Sequence, residues 1–239
     1  MAVKQIITKI NNTDYTFDIA YEIINPGSQD TVVFLHGWGS NKEIMKQAFE
    51  KEFDSMKHLY VDMPGFGKST CDVALTTKDY AQIMQTFFKQ LKTDVKIIAG
   101  HSFGGKVATL LNPPLLLLLS TAGIIEEKSD NVKFKIKMAK VLNSLGLSFL
   151  GKFFRSKDVN TMNETMYQTF KNVVDEDFSN IFKNYSGQTK IFWGKNDTAT
   201  SLKSGQTIHN LIQNSEFKAY DSDHYFFLHH AKDIATCTC

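Results

Sequence analysis

The sequence predicts an α/β architecture, a mostly parallel twisted sheet flanked by helices, and three observations carry that expectation. Short apolar runs recur at 31–35, 58–61, 95–99, 115–120, 190–193 and 216–220, the last two less purely apolar. Their length and composition are those of strands buried on both faces. Stretches with helical spacing of apolar residues lie between them, and strand alternating with helix requires parallel strands joined by right-handed crossovers.

Taken in order, 3–10 and 15–24 alternate apolar and polar residues and predict an antiparallel hairpin ahead of Pro26-Gly27. The clearest helix places Tyr80, Ile83, Met84, Phe87, Phe88 and Leu91 on one face, with Thr76 or Thr77 as its N-cap. A further helix is expected over 105–111. The rhythm then breaks, because about sixty residues separate the run at 115–120 from the next strand, where a crossover needs only a dozen or more. Phe134, Met138, Val141, Leu142 and Leu145 fall at helical spacing in this interval, although 132–137 also alternates with period two. The four-residue spacing persists further, so a helical lid is expected at 124–187, inserted after the sixth strand into a core made of 1–123 and 188–239.

Composition narrows the function classes. With 239 residues, 42% of them hydrophobic, the chain can bury a sizeable core. A formal charge of +2 gives no field that would attract nucleic acid, so a small molecule is the expected partner. The N-terminus has no apolar run of signal-peptide length, and the longest aliphatic run, 115–119, is far below the ~20 residues of a spanning helix. These features predict a cytoplasmic protein. Cys71, Cys237 and Cys239 read as three reduced thiols, the last two at a terminus expected to fray.

Chemistry concentrates at Gly100-His101-Ser102-Phe103-Gly104, a G-x-S-x-G motif that directly follows the run at 95–99 and precedes the expected helix. A sharp strand-to-helix turn forces its serine into strained backbone angles, and small residues at 100 and 104 let neighbouring backbones approach. Ser102 would then stand at a helix N-terminus, which favours developing negative charge. A hydroxyl nucleophile needs a base, and the seven histidines lie at 36, 58, 101, 209, 224, 229 and 230. His224 follows the last strand run, where loops reach the carboxyl edge of a parallel sheet, as Ser102 does. His58 and His209 fit a strand start and a helix surface, His229 and His230 a C-terminal helix, and His101 should point away from its neighbour Ser102. Asp197, just after the penultimate strand run, is the first candidate for the acid that orients the base. It could instead cap a helix within 198–213. Asp221 and Asp223 are rivals, but their nearness to His224 in sequence makes the Nδ1 geometry harder to reach.

The order Ser102, Asp197, His224 around a strand-turn-helix serine resembles the α/β-hydrolase family, across nearly the whole chain. Leu35-His36-Gly37-Trp38-Gly39 resembles that family's HG loop after the third strand. Asp62-Met63-Pro64-Gly65-Phe66-Gly67-Lys68-Ser69 resembles its D-x-P-G-x-G-x-S loop after the fourth. The resemblance implies the α/β-hydrolase fold and a serine hydrolase in which Ser102, His224 and Asp197 form the triad. It also implies an oxyanion hole made by the backbone N–H groups of Trp38 and Phe103. Carboxylic esters are the implied substrates, and the two loops look most like carboxylesterases of the pimeloyl-carrier methyl-ester type.

Named positions count against other readings, of which the carbon–carbon bond hydrolase and the ligand receptor stay as alternatives. A carbon–carbon bond hydrolase of ring-cleavage dienoates usually carries tryptophan after its histidine and arginine near the substrate carboxylate, whereas here Tyr225 follows His224 and Arg155 is the sole arginine. A dehalogenase needs aspartate where Ser102 stands. Gly67-Lys68-Ser69 ends like a phosphate-binding loop, but the first glycine of that motif would occupy the position of Asp62. A ligand receptor on the same fold is the alternative from another class, and the triad residues argue against it. No metal and no cofactor are expected.

Specificity is expected from the lid, where Met138, Leu142, Leu145, Met162 and Met166 offer adaptable apolar surface for a substrate pocket, unless they only pack the lid on the core. Between Asn131 and Lys157 the chain has basic but no acidic residues, and Lys133, Lys137 and Lys140 share a helical face. That face would suit either plain solvation or an acidic carrier protein bearing the ester.

Overall fold

A computed structural model of the protein describes residues 1–125 and 163–238. The expected hairpin is present: β1 (Ala2–Ile10) pairs antiparallel with β2 (Thr13–Ile24). Its two-residue turn, Asn11-Asn12, has positive φ at both positions, the geometry that tight hairpins require and asparagine tolerates. There follow β3 (Asp30–Leu35), α1 (Lys42–Phe49), β4 (Lys57–Val61), α2 (Thr77–Leu91), β5 (Asp94–His101), α3 (Phe103–Leu111) and β6 (Leu115–Leu119). After β6 come α4 (Glu164–Val173), α5 (Ser179–Lys183), β7 (Gln188–Gly194), α6 (Leu202–Leu211), β8 (Ser215–Tyr220) and α7 (Phe227–Thr238).

The eight strands form one sheet in the order β1-β2-β4-β3-β5-β6-β7-β8. From β4 to β8 every pairing is parallel, and β2 meets β4 antiparallel. Each apolar run turns out to be two interleaved faces. Val33, Leu35, Leu59, Val61, Leu116 and Leu118 pack under α2 and α3, while Val32, Phe34, Tyr60, Leu117 and Leu119 pack under α1 and α7. All of these side chains are buried. Full burial of such a side chain contributes roughly 1.5–3 kcal/mol, so both faces are needed to hold the strands flat between two helical layers.

The helix ends show why these segments stop where they do. At α2 the Thr76 side chain accepts from the Asp79 N–H and the Asp79 carboxylate accepts from the Thr76 N–H, a reciprocal capping box. One sequence expectation needs correction. The C-terminus does not fray at Cys237, which lies in α7 and packs against the sheet, because Ile234 and Ala235 bury that helix. The helix expected within 198–213 is α6, which starts at Leu202 and is capped by the Ser201 side chain, so Asp197 does not cap it. The lid expectation falls largely on 126–162, outside the described residues, while its last part contains α4 and α5. Among the described residues no helix is long and apolar enough to cross a membrane.

Candidate active site

The carboxyl ends of β3, β4, β5, β7 and β8 lie along one edge of the sheet and carry the five loops that build the site. Ser102 occupies the turn from β5 into α3 with φ 50° and ψ −114°, a strained conformation for a residue with a side chain. The strain is held in place by close packing. A Cβ on Gly100 would stand 2.5 Å from the Gly104 carbonyl oxygen, and one on Gly104 would stand 2.4 Å from that of Leu35, so both positions must be glycine. The Ser102 N–H donates to Leu119 O at 3.0 Å and its carbonyl accepts from Thr121 Oγ1 at 3.0 Å. Serine at a helix N-terminus ordinarily caps the helix with its hydroxyl, but Ser102 makes no such bond. Ser102 is half-buried, and among the described residues its hydroxyl makes no hydrogen bond.

His224, in the loop after β8, places Nδ1 2.7 Å from Asp197 Oδ2. Asp197 stands beyond β7, its side chain wholly enclosed. Its Oδ1 accepts from the backbone N–H groups of Ala199 and Thr200 at 2.8 and 2.9 Å. Burial works against the charged carboxylate, but the His224 and Thr200 hydrogen bonds outweigh it and hold the group down to about 2. A carboxylate so placed keeps Nδ1 protonated and leaves Nε2 as the acceptor. The two rival aspartates are used elsewhere: Asp223 accepts from the Tyr225 N–H at 2.9 Å, and Asp221 accepts from Asn196 Nδ2 at 3.3 Å.

Against Ser102 lies the loop after β3. A Cβ on Gly37 would come within 3.0 Å of His101 Nδ1 and 3.2 Å of Ser102 Cβ, so this loop passes directly beside the serine. Among the described residues neither the Trp38 nor the Phe103 backbone N–H donates a hydrogen bond. This loop is locked to the one after β4 by side chains that are all buried. His36 donates through Nδ1 to Gly37 O at 2.8 Å and accepts through Nε2 from the Met63 N–H at 3.0 Å. Burial pushes His36 down to about 4, so it serves as a neutral bridge. Asp62 accepts from the Lys42 N–H at 2.7 Å, Lys42 Nζ at 3.0 Å and the Lys68 N–H at 3.1 Å.

The wall opposite is aromatic and comes partly from α4. The Trp38 ring meets Phe66, Phe103 and Phe170 at centroid distances of 4.9, 5.5 and 5.4 Å. Met166 is buried in α4 against Gly65 and Cys71. Lys106 of α3 clamps the end of α4, donating to Val173 O at 2.6 Å and Glu176 Oε2 at 2.9 Å. Met138, Leu142, Leu145 and Met162 lie outside the described residues, as do Lys133, Lys137 and Lys140. Among the described residues no cluster of three or more His, Cys, Asp or Glu side chains could hold a metal ion.

The sequence profile of the alpha/beta hydrolase family matches residues 32–235. The chain belongs to the alpha/beta hydrolase family. As an alpha/beta hydrolase it is 25% identical over 228 residues to a Mycoplasma pneumoniae protein that carries an esterase/lipase name, with 81% of this chain and 83% of the relative covered. Over 78 residues it is 35% identical to the pimeloyl-[acyl-carrier protein] methyl ester esterase of Proteus mirabilis, a match spanning 33% of this chain and 29% of the relative. Its fold is similar to that of a thermophilic esterase from Thermogutta terrifontis, with TM-score 0.73, 16% identity and coverage of 99% and 96% of the two chains. An esterase from Exiguobacterium antarcticum gives TM-score 0.72 at 22% identity, covering 92% and 94%.

Three residues of this alpha/beta hydrolase site escaped sequence reasoning. His101 is buried, with Nε2 3.1 Å from the His224 carbonyl oxygen and its ring 4.5 Å from the His224 ring. Burial, with His224 beside it, pushes it down to about 3. Lys42 is a buried cation, and Thr200 holds Asp197. Only His101 carries a signal in the sequence, its place beside the serine.

Proposed function

We infer that this alpha/beta hydrolase is a serine carboxylesterase working through Ser102, His224 and Asp197. The observation that carries the reading is the 2.7 Å contact of His224 Nδ1 with an enclosed, ionised Asp197, on the sheet edge where Ser102 sits with an uncommitted hydroxyl. The similarity to proteins named as esterases supports the same chemistry.

In this mechanism Ser102 Oγ attacks the ester carbonyl carbon while its proton passes to His224 Nε2. The carbonyl oxygen becomes an oxyanion and accepts from the Trp38 and Phe103 N–H groups. Loss of one such donor typically costs about 3 kcal/mol of transition-state stabilisation. Collapse of the tetrahedral intermediate expels the alcohol, which takes the proton back from His224. Water then attacks the acyl-enzyme, giving its proton to His224, and the acid departs as Ser102 recovers the proton. Asp197 stays charged throughout and stabilises the imidazolium. Turnover of p-nitrophenyl esters of graded chain length tests the activity; no turnover of any of them would sink it.

A finer reading takes a carrier-linked ester as the substrate, favoured by the match to the Proteus mirabilis esterase. In it 124–187 governs selectivity, with Met138, Leu142, Leu145, Met162 and Met166 selecting the acyl chain and Lys133, Lys137 and Lys140 recruiting an acidic carrier.

A further inference from the structure

Thr200 belongs to the turn between β7 and α6 and touches more of the site than a loop residue needs to. Its N–H donates to Asp197 Oδ1 at 2.9 Å. Its hydroxyl oxygen lies 3.0 Å from Asp197 Oδ2, 3.1 Å from Ser120 O and 3.4 Å from His224 Nδ1. Its carbonyl accepts from the indole N–H of the fully buried Trp193 at 2.9 Å. The residue is thereby tied to the end of β6, to β7 and to the loop of His224.

The backbone contacts alone would suffice to cap a turn, because Oδ1 already receives the Ala199 and Thr200 N–H groups. The hydroxyl adds something different. It addresses Oδ2, the oxygen that His224 uses, and it has a single proton for two acceptors. Given to Oδ2, that proton completes two donors on each carboxylate oxygen and withdraws part of the charge that would act on His224. Given to Ser120 O, it withdraws the threonine from Oδ2. The charged acceptor makes the stronger bond, so the first arrangement is favoured.

We propose that Thr200 is a positioning residue of this hydrolase, whose hydroxyl fixes the rotation of the Asp197 carboxylate and sets how much of its charge reaches His224. The proposal rests on the Ser102–His224–Asp197 reading. Among the described residues the titratable groups facing His224 are Asp197 from the loop after β7, His101 from the end of β5, and Tyr225 from its own loop. Held to about 3, His101 stays neutral over the working range, and Asp197, held to about 2, stays charged. A change in the acid limb of the rate profile on altering Thr200 therefore reports on His224.

The experiment measures kcat, KM and the pH dependence of kcat/KM on a p-nitrophenyl ester for wild type, Thr200→Val, Thr200→Ser and Ser102→Ala. Valine keeps the shape and removes the hydroxyl. The expected result is a fall in kcat of about tenfold with KM little changed, the size typical of outer partners that orient a working side chain. The acid limb of kcat/KM should move to higher pH, since an unshared carboxylate favours the protonated imidazole. Thr200→Ser should restore both quantities. If Thr200→Val does not fold, Thr200→Ala carries the same expectations. Wild-type kinetics in the hydroxyl-less variant, or a lower kcat with an unmoved acid limb or without rescue by serine, would overturn the role of Thr200 while Ser102→Ala is inactive. Full activity in Ser102→Ala would instead remove the triad reading beneath it.

Discussion

Mild acid should weaken this protein strongly, through histidines that burial keeps neutral: His36 and His101 carry the larger effects, and His58 is pushed down in the same sense. His36 and His101 are pushed down to about 4 and about 3, in each case chiefly by burial. An unfolded histidine titrates near 6.5. Between that value and the folded ones, the unfolded chain binds protons that the native chain does not, so stability falls as pH falls. At about pH 5 each ring is roughly 1.5 pH units below its unfolded value and still neutral in the fold, which costs about 2 kcal/mol per residue and about 4 kcal/mol for both. That is a large fraction of the 5–15 kcal/mol typical of a domain. Asp197 acts in the same direction, but its contribution is present above 3.8 and is lost only as pH falls toward 2, so this window excludes it. Urea unfolding at about pH 7.5 and about pH 5 measures the loss, and His101→Gln isolates one ring, since its loss over the same interval should be smaller by about 2 kcal/mol. A variant that loses as much stability as wild type would show that His101 is not buried neutral.

Three further outcomes are expected. His224→Ala should remove nearly all esterase activity, and Asp197→Asn should lower kcat by about 10⁴, because the wrong tautomer then faces Ser102; a silent Asp197→Asn, read by steady-state kinetics, would point to another acid. Lys42→Met leaves the enclosed Asp62 carboxylate with backbone partners only and should cost about 3–5 kcal/mol in urea unfolding; a cost below about 1 kcal/mol would mean that the pair holds no loop in place. For a carrier-linked ester, kcat/KM should fall as salt rises, since rim charges act on association and are screened beyond about 8 Å at physiological salt. A free short ester should hardly respond, and equal responses would remove the carrier from the account.

Much of the frame is legible in the sequence because doubly buried strands leave unmixed apolar runs, and 115–119 needs no structure to be read as one. The spacing from Tyr80 to Leu91 declares α2, and its Thr76 cap is visible beside it. The order of the strands is not legible. Nothing in the composition of β4 tells that it lies between β2 and β3, since every central run is apolar alike. The candidate site is legible to the extent that its chemistry depends on residue type at a strand end, which is how Ser102, Asp197 and His224 stand out. Thr200 and Lys42 carry no such mark, and His101 only its place beside the serine, because their roles come from partners brought up by the fold. Lys42 reads as an ordinary solvated lysine until Asp62, on the neighbouring strand's loop, closes over it. His101 is similar: its partner, the His224 carbonyl oxygen, is more than half the chain away.

The central claim is that Ser102 is the nucleophile, and covalent labelling addresses it without knowledge of the natural ester. A fluorophosphonate probe captures an activated serine, and digestion followed by mass spectrometry locates the adduct. One adduct is expected, on the peptide containing Gly100-His101-Ser102-Phe103-Gly104, and none in Ser102→Ala, in parallel with loss of p-nitrophenyl ester turnover. An adduct on a different serine, or undiminished labelling and turnover in Ser102→Ala, would contradict the claim.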